Sequence, residues 1–298
     1  LSEAVASGTV TFTRTSGSAD GSSPHEQDLS GDELTTGAHN NITLTDNPTL
    51  VDGAIYSIAF DATDAAGNAA TTVTNTGVTY DVTAPTISST APAQDASIKD
   101  TKVSYTLDEA AASGTVTFTR TGGSADGGPH VQALSGTELN SGAHNNITLT
   151  NNPTLVDGTI YTIGFDATDA AGNAATTVTN TGITYDLTTG APTLATPAAS
   201  SSDNATLDID FTLPEAASSG TVKMTFTHTS GTADNNAPHI ITFNSNFETA
   251  SQHTTTLTGT DLSVNANVLS VNTNTNDALV EGAIYSVKIE YQDVVGNT

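Results

Sequence analysis

The sequence predicts an all-β chain of tandem, antiparallel two-sheet sandwiches. Long segments recur at the length of one small domain, apolar and polar residues alternate between turns, and helical spacing is lacking throughout.

The recurrence sets the units. Gly8 to Arg14 (Gly-Thr-Val-Thr-Phe-Thr-Arg) returns unchanged at Gly114 to Arg120, 106 residues on, and Gly220-Thr221-Val222 opens a looser copy after another 106. Tyr56 to Asn68 returns at Tyr161 to Asn173 and more loosely at Tyr285 to Asn297, after 105 and 124 residues. The third copy is therefore 18 residues longer, mostly between His239 and Tyr285. A period of this size exceeds a solenoid unit and equals one small β-domain. Three modules follow, 1–82, 83–188 and 189–298. Leu1 aligns with Leu107, so the first is expected to lack strand A and most of strand B. The third is expected to lack strand G.

Within each unit the intervals read as strands. Val103, Tyr105 and Leu107 alternate with polar residues, as do Val116 and Phe118, and Tyr161, Ile163 and Phe165. That pattern gives each sheet one buried face and one Thr-rich solvated face. Gly, Asn, Asp and Pro punctuate the strands, and no segment suits a helical crossover, so the sheets are expected to be antiparallel and paired face to face.

Composition narrows the partners. Asp and Glu number 32 against 6 Lys and Arg, a net charge of −26, which repels nucleic acid and anionic lipid and invites hard divalent ions such as calcium. There is no Cys for a disulfide or thiolate site, and no Trp to stack on sugars. Such a chain fits bacterial export at least as well as cytosol. No apolar run reaches the length of a membrane span, and Leu1 opens no signal peptide, so any targeting segment lies outside this stretch.

Leu50-Val51-Asp52-Gly53-Ala54-Ile55-Tyr56 recurs at Leu155 to Tyr161 and is approximated at Leu279 to Tyr285. It reads as a tyrosine corner, in which a Tyr early in strand F bonds back to the backbone and pins the E to F crossover of an immunoglobulin-like sandwich. The alternative is an ordinary Asp-Gly turn followed by a core Tyr.

Asp81-Val82-Thr83-Ala84-Pro85, Asp61 to Asn68 and Tyr105 to Ala110 together resemble the bacterial immunoglobulin-like (BIg) tandem repeats of giant calcium-dependent RTX-type surface adhesins. The likeness spans essentially the whole chain. It implies an extender region of beads in a rod, exported by Gram-negative type I secretion and stiffened by calcium between neighbours. The sequence departs from equal junctions in two places: the linker Tyr185 to Pro192 is longer, and Pro214 stands where the second module has Asp108.

Strand phase places the acids independently of that resemblance. Val103, Tyr105 and Leu107 continue in phase to Glu109, and Leu207, Ile209, Phe211 and Leu213 continue to Glu215. On strand F, Tyr161, Ile163, Phe165 and Ala167 lead to Asp169, and Tyr285, Val287, Ile289 and Tyr291 lead to Asp293. Side chains alternate with period two, so each carboxylate projects where the core stripe leaves the sandwich. Immunoglobulin topology runs strands B and F the same way, which puts both ends at one pole. The incoming linker arrives there too, carrying Asp81 or Asp186. Two charges about 4 Å apart repel by up to ~4 kcal/mol at an effective dielectric near 20, so three carboxylates call for a cation. Calcium accepts several oxygens in flexible geometry, whereas magnesium demands a strict octahedron. In the first module Glu3 and Asp64 are the corresponding acids. Asp61, Asp166 and Glu290 recur out of phase, as second-rank ligands or the solvated face of strand F. The competing reading is that all these acids merely solvate loops.

Other candidates are set aside. His39 and His144 sit in Ala-His-Asn-Asn ahead of a strand, and His25, His130 and His239 follow Pro in a loop, none with a partner at zinc spacing. No Ser or Thr lies in a nucleophile elbow, so catalysis is not expected. Asn41-Ile42-Thr43 and Asn146-Ile147-Thr148 match a glycosylation acceptor, read here as coincidence. Asp20 and Asp126 read as turn residues with their role open. The expected function is a mechanical extender at the bacterial cell surface. Its partners are the neighbouring modules, and a cell-surface or glycan ligand of the third module, or identical chains exchanging strands, are the other readings.

Overall fold

Turn residues cut the chain into strands short enough to pair with near neighbours, and a computed structural model, describing residues 1–272 and 277–298, shows three sets of them. The first repeat forms β1 (Ser7–Gly17), β2 (His25–Asp28), β3 (Ala54–Thr63) and β4 (Val73–Tyr80), one sheet in the order β2-β1-β3-β4. The second forms β5 (Ile87–Ala91), β6 (Ser97–Ile98), β7 (Val103–Leu107), β8 (Ser113–Gly123), β9 (His130–Ala133), β10 (Gly142–Ile147), β11 (Thr159–Thr168) and β12 (Val178–Tyr185). These make two sheets, β10-β7-β5 and β6-β12-β11-β8-β9, with only the short β6 running parallel to its neighbour. The third forms β13 (Thr193–Thr196), β14 (Thr206–Thr212), β15 (Lys223–Gly231), β16 (His239–Phe243), β17 (Gln252–Thr258), β18 (Val268–Val271) and β19 (Ala283–Glu290). Its sheets are β13-β14-β17 and β18-β16-β15-β19. The architecture is all-β and immunoglobulin-like.

The alternation puts the expected residues inside. Val103, Tyr105 and Leu107 from one sheet meet Val116, Phe118, Tyr161, Ile163 and Phe165 from the other, and Ile183 of β12 is fully buried between them. The third core repeats this with Leu207, Ile209, Phe211, Met224, Phe226 and Ile241. No second sheet lies opposite β1 to β4 among the described residues, and Phe60 and Val73 are exposed there. Each tyrosine corner is present: the hydroxyls of Tyr56, Tyr161 and Tyr285 accept from the amides of Val51 (3.0 Å), Val156 (3.1 Å) and Val280 (2.9 Å).

Three local features differ from the strand-and-turn reading. Gly31–Leu34 and Gly136–Leu139 are single 3-10 turns, organised by buried Glu33 and Glu138. Each glutamate accepts two amides, Ser30 (2.7 Å) and Thr45 (2.7 Å), or Ser135 (2.8 Å) and Thr150 (2.6 Å). His144 lies within β10 and not ahead of a strand, because its ring stacks on Tyr105 with centroids 4.7 Å apart. The lengthened stretch of the third repeat contributes β18, which extends the sheet through β16, while 273–276 lie outside the described residues.

Candidate functional site

Two trios of carboxylates form where one repeat hands over to the next. Asp81, Glu109 and Asp169 each offer an oxygen, all within 4.8 Å of one another, and so do Asp186, Glu215 and Asp293. The elements that deliver them are the strands whose phase points there. Leu107 is buried at the end of β7 and Glu109 follows two residues on, while Ala167 is buried in β11 and Asp169 follows two residues on.

The aspartate after strand F is preorganised by its own loop. Asp169 Oδ1 accepts the amides of Gly172 (2.7 Å) and Asn173 (2.8 Å), and Oδ2 accepts the Asn173 side-chain amide (2.8 Å). Gly172 adopts φ +96, a left-handed turn conformation that favours glycine. Asp293 repeats the arrangement with Val295 (2.9 Å) and Asn297 (2.9 Å and 2.8 Å). Burial works to raise both carboxyls, yet these hydrogen bonds outweigh it and hold both below the usual carboxylate range.

The same asparagine reaches across to the linker. Asn173 Nδ2 donates to the Asp81 carbonyl (3.1 Å), and Asn297 Nδ2 donates to the Asp186 carbonyl (3.2 Å). From the other side, the Asp-Gly turn of the preceding repeat holds the linker. Asp52 accepts from the Val82 amide (2.9 Å) and the Thr83 hydroxyl (2.5 Å), and Asp157 accepts from the Leu187 amide (2.6 Å) and the Thr188 hydroxyl (2.9 Å). Sequence reading missed this clamp. Its signal is the Thr two residues after each linker acid, matched to Asp52 or Asp157 of the corner.

The two trios differ in how their charge is satisfied. Burial first, then Asp81 and Asp169, push the Glu109 carboxyl above its ordinary range. At the second trio burial, then Asp293 and Glu215, push Asp186 up. There Glu215 already has partners: it accepts the Gly190 amide, and the Tyr291 hydroxyl lies 3.1 Å from it and 2.8 Å from the Gly190 carbonyl. Thr189 donates to Asp293 (2.9 Å). Pro214 cannot repeat the bond by which Asp108 accepts the Thr86 amide (2.8 Å), and Gly190 packs against it.

The remaining acids stand apart from the trios. Asp61 and Asp166 accept the hydroxyls of Thr72 and Thr177, and Glu290 pairs with Lys288 at 2.5 Å. Glu3 and Asp64 line a small hollow with Asn68 and Ala70. Asp20, Asp126 and Asp234 are not simple turn residues: each accepts from the corner Tyr and from the His after Pro. Asp20 is 2.7 Å from both His25 and Tyr56, and Asp234 is 2.8 Å from His239 and 2.5 Å from Tyr285. Asp126 does the same with His130 (2.8 Å) and Tyr161.

Residues 81–189 match the bacterial Ig-like domain. That Ig-like segment begins at the first linker acid and holds the whole first trio. No curated protein matches the chain. Among solved structures, the FN1–FN3 domains of chicken CNTN1 align over 99% of this chain and 85% of that one, at 10% identity and a TM-score of 0.30. Among the described residues no helix is long and apolar enough to cross a membrane.

Proposed function

We propose that this chain is a non-catalytic, extracellular spacer of a large bacterial surface adhesin, its Ig-like repeats set end to end as a rod and stiffened by calcium at the junctions. The convergence of three carboxylates from a linker and two strand ends carries the reading. No ion pair among the described residues engages any of the six.

The donor set fits the ion. Hard carboxylate oxygens suit calcium, and its tolerance of varied coordination suits a site assembled from three separate segments. Asp81, Glu109 and Asp169 would hold one ion, and Asp186, Glu215 and Asp293 a second. Bound calcium supplies positive charge where the trio's own repulsion opposes closure. The rest belongs to the chain: Asn173 and Asn297 orient the aspartate, and Asp52 and Asp157 fix the linker that brings the third acid.

Small-angle scattering of the whole chain in calcium and then in chelator tests this. The expected result is a longer maximum dimension and a narrower spread of conformations with calcium, at concentrations near the ~10⁻⁴ to 10⁻³ M typical of extracellular modules. Superimposable profiles in the two buffers would exclude the stiffening role.

A further inference from the structure

The second junction differs from the first by an insertion whose two residues both bond to the trio. Asp81-Val82-Thr83-Ala84-Pro85 becomes Asp186-Leu187-Thr188-Thr189-Gly190-Ala191-Pro192, so Thr189 and Gly190 have no counterpart in the first linker. The Thr189 hydroxyl donates to Asp293 Oδ2 at 2.9 Å, and the Gly190 amide donates to Glu215 Oε1. Two of the three acids are thus met by neutral donors that the first trio lacks. Glu109, the counterpart of Glu215, accepts no hydrogen bond at its carboxylate among the described residues.

The surroundings are fitted to that insertion. Tyr291 stands where strand F of the second repeat has Ala167, and its hydroxyl lies 2.8 Å from the Gly190 carbonyl and 3.1 Å from Glu215. The residue is buried, so the hydroxyl is held at the rim by the packing of its ring. Only glycine fits at 190, since a Cβ there would lie 2.7 Å from Cγ of Pro214. Pro214 in turn replaces Asp108 of the second repeat. Extra loop residues cost little in themselves, and a slack linker would need none of these matches.

We infer that Thr189, Gly190 and Tyr291 form a latch that holds the third repeat to its linker without an ion, so that the second junction keeps its geometry where the first depends on calcium. Hydrogen bonds to a carboxylate are charge-assisted, and these donors place partial positive charge among acids whose repulsion otherwise opposes closure. The other half of the linker is already tied to the second repeat, because Asp157 holds Leu187 and Thr188 directly before the inserted pair. Four consecutive residues therefore join the two sandwiches. Calcium entering the second trio finds the geometry already set. The latch stands on these bonds, and only its contrast with the first junction rests on the calcium reading.

The chain has no cysteine, so pairs of spin labels can be placed at chosen positions. Thr13, Thr119 and Thr227 are exposed equivalents on β1, β8 and β15. Thr13→Cys with Thr119→Cys spans the first junction, and Thr119→Cys with Thr227→Cys spans the second. Double electron–electron resonance on the whole chain in chelator is expected to give a broad distance distribution for the first pair and a narrow one for the second. Added calcium should narrow the first and leave the second unchanged. Tyr291→Phe keeps the ring and removes the hydroxyl, while Thr189→Val changes only the linker; each is expected to lose the narrow second distribution in chelator. A second distribution that is broad in chelator, or that stays narrow in both variants, would overturn the latch. A first distribution indifferent to calcium would instead count against the calcium reading, and loss of the narrow second peak in Tyr291→Phe would still uphold the latch.

Discussion

Burial and the neighbouring Asp81 and Asp169 raise the Glu109 carboxyl above its ordinary value of 4.5, so ionising it opposes folding. The sign follows from the direction. Below 4.5 the group is protonated in both states and costs nothing; as pH rises through the higher folded value, stability is lost. Glu109→Gln is therefore expected to raise the melting temperature in chelator at neutral pH, with a ceiling of ~4 kcal/mol per charge pair removed. With calcium present the same substitution is expected to lower it, because a ligand is gone. Calorimetry in the two buffers reads the reversal, and a variant less stable in chelator would show that Glu109 has some other stabilising partner. That the three acids would meet was legible from two things together: alternation, since Val103, Tyr105 and Leu107 fix the phase of Glu109, and immunoglobulin topology, which brings the ends of strands B and F and the incoming linker to one pole. That Tyr291 would sit 3.1 Å from Glu215 was not, because nothing in a strand's period distinguishes a core Tyr from one whose hydroxyl reaches the rim.

At the scale of elements, the tyrosine corner is joined to the start of the neighbouring strand by a carboxylate. Asp234 is held down to about 2: burial opposes this, but the Tyr285 and His239 hydrogen bonds prevail. Asp20 is likewise held at about 2, chiefly by His25 and then Tyr56. A depressed acid stabilises above its ordinary value of 3.8, and that contribution disappears as pH falls toward about 2. Acid unfolding of the third repeat is thus expected to steepen between these values, and Asp234→Asn should remove that pH dependence while lowering stability at neutral pH. Circular dichroism across an acid titration checks it; an unchanged slope in the variant would assign the acid sensitivity elsewhere. Sequence reading recognised the corner but left Asp20 and Asp126 open. The partners are brought together across 35 or 36 residues by sheet pairing, and no local spacing encodes that distance. Glu33 and Glu138 escaped for a related reason: a buried acid whose partners are backbone amides has no complementary side chain to reveal it.

For the whole molecule, the repeats made the fold readable, because each copy corrects the reading of the others. The third departs most, and its extra residues add β18 to a sheet edge, a strand that the polar stretch between His239 and Tyr285 did not announce. Calcium binding only the folded form would contribute about 1.4 kcal/mol per site at ten times the dissociation constant. Two sites at two junctions predict a calcium-dependent rise in melting temperature of several degrees, since ~1 kcal/mol moves a domain of this size by about 4–8 °C. Differential scanning calorimetry with and without chelator measures it, and coincident transitions would leave the trios without a ligand.

The double hold on the linker decides where a pull would be felt. Asp52 grips Val82 and Thr83 from the repeat behind, and Asn173 grips the Asp81 carbonyl from the repeat ahead. The same short linker is thus braced by side-chain bonds from both neighbouring repeats. If the repeats carry load as the proposed spacer would, these few side-chain bonds are expected to part before the strand ladders of either neighbour, which would leave the folded domains intact.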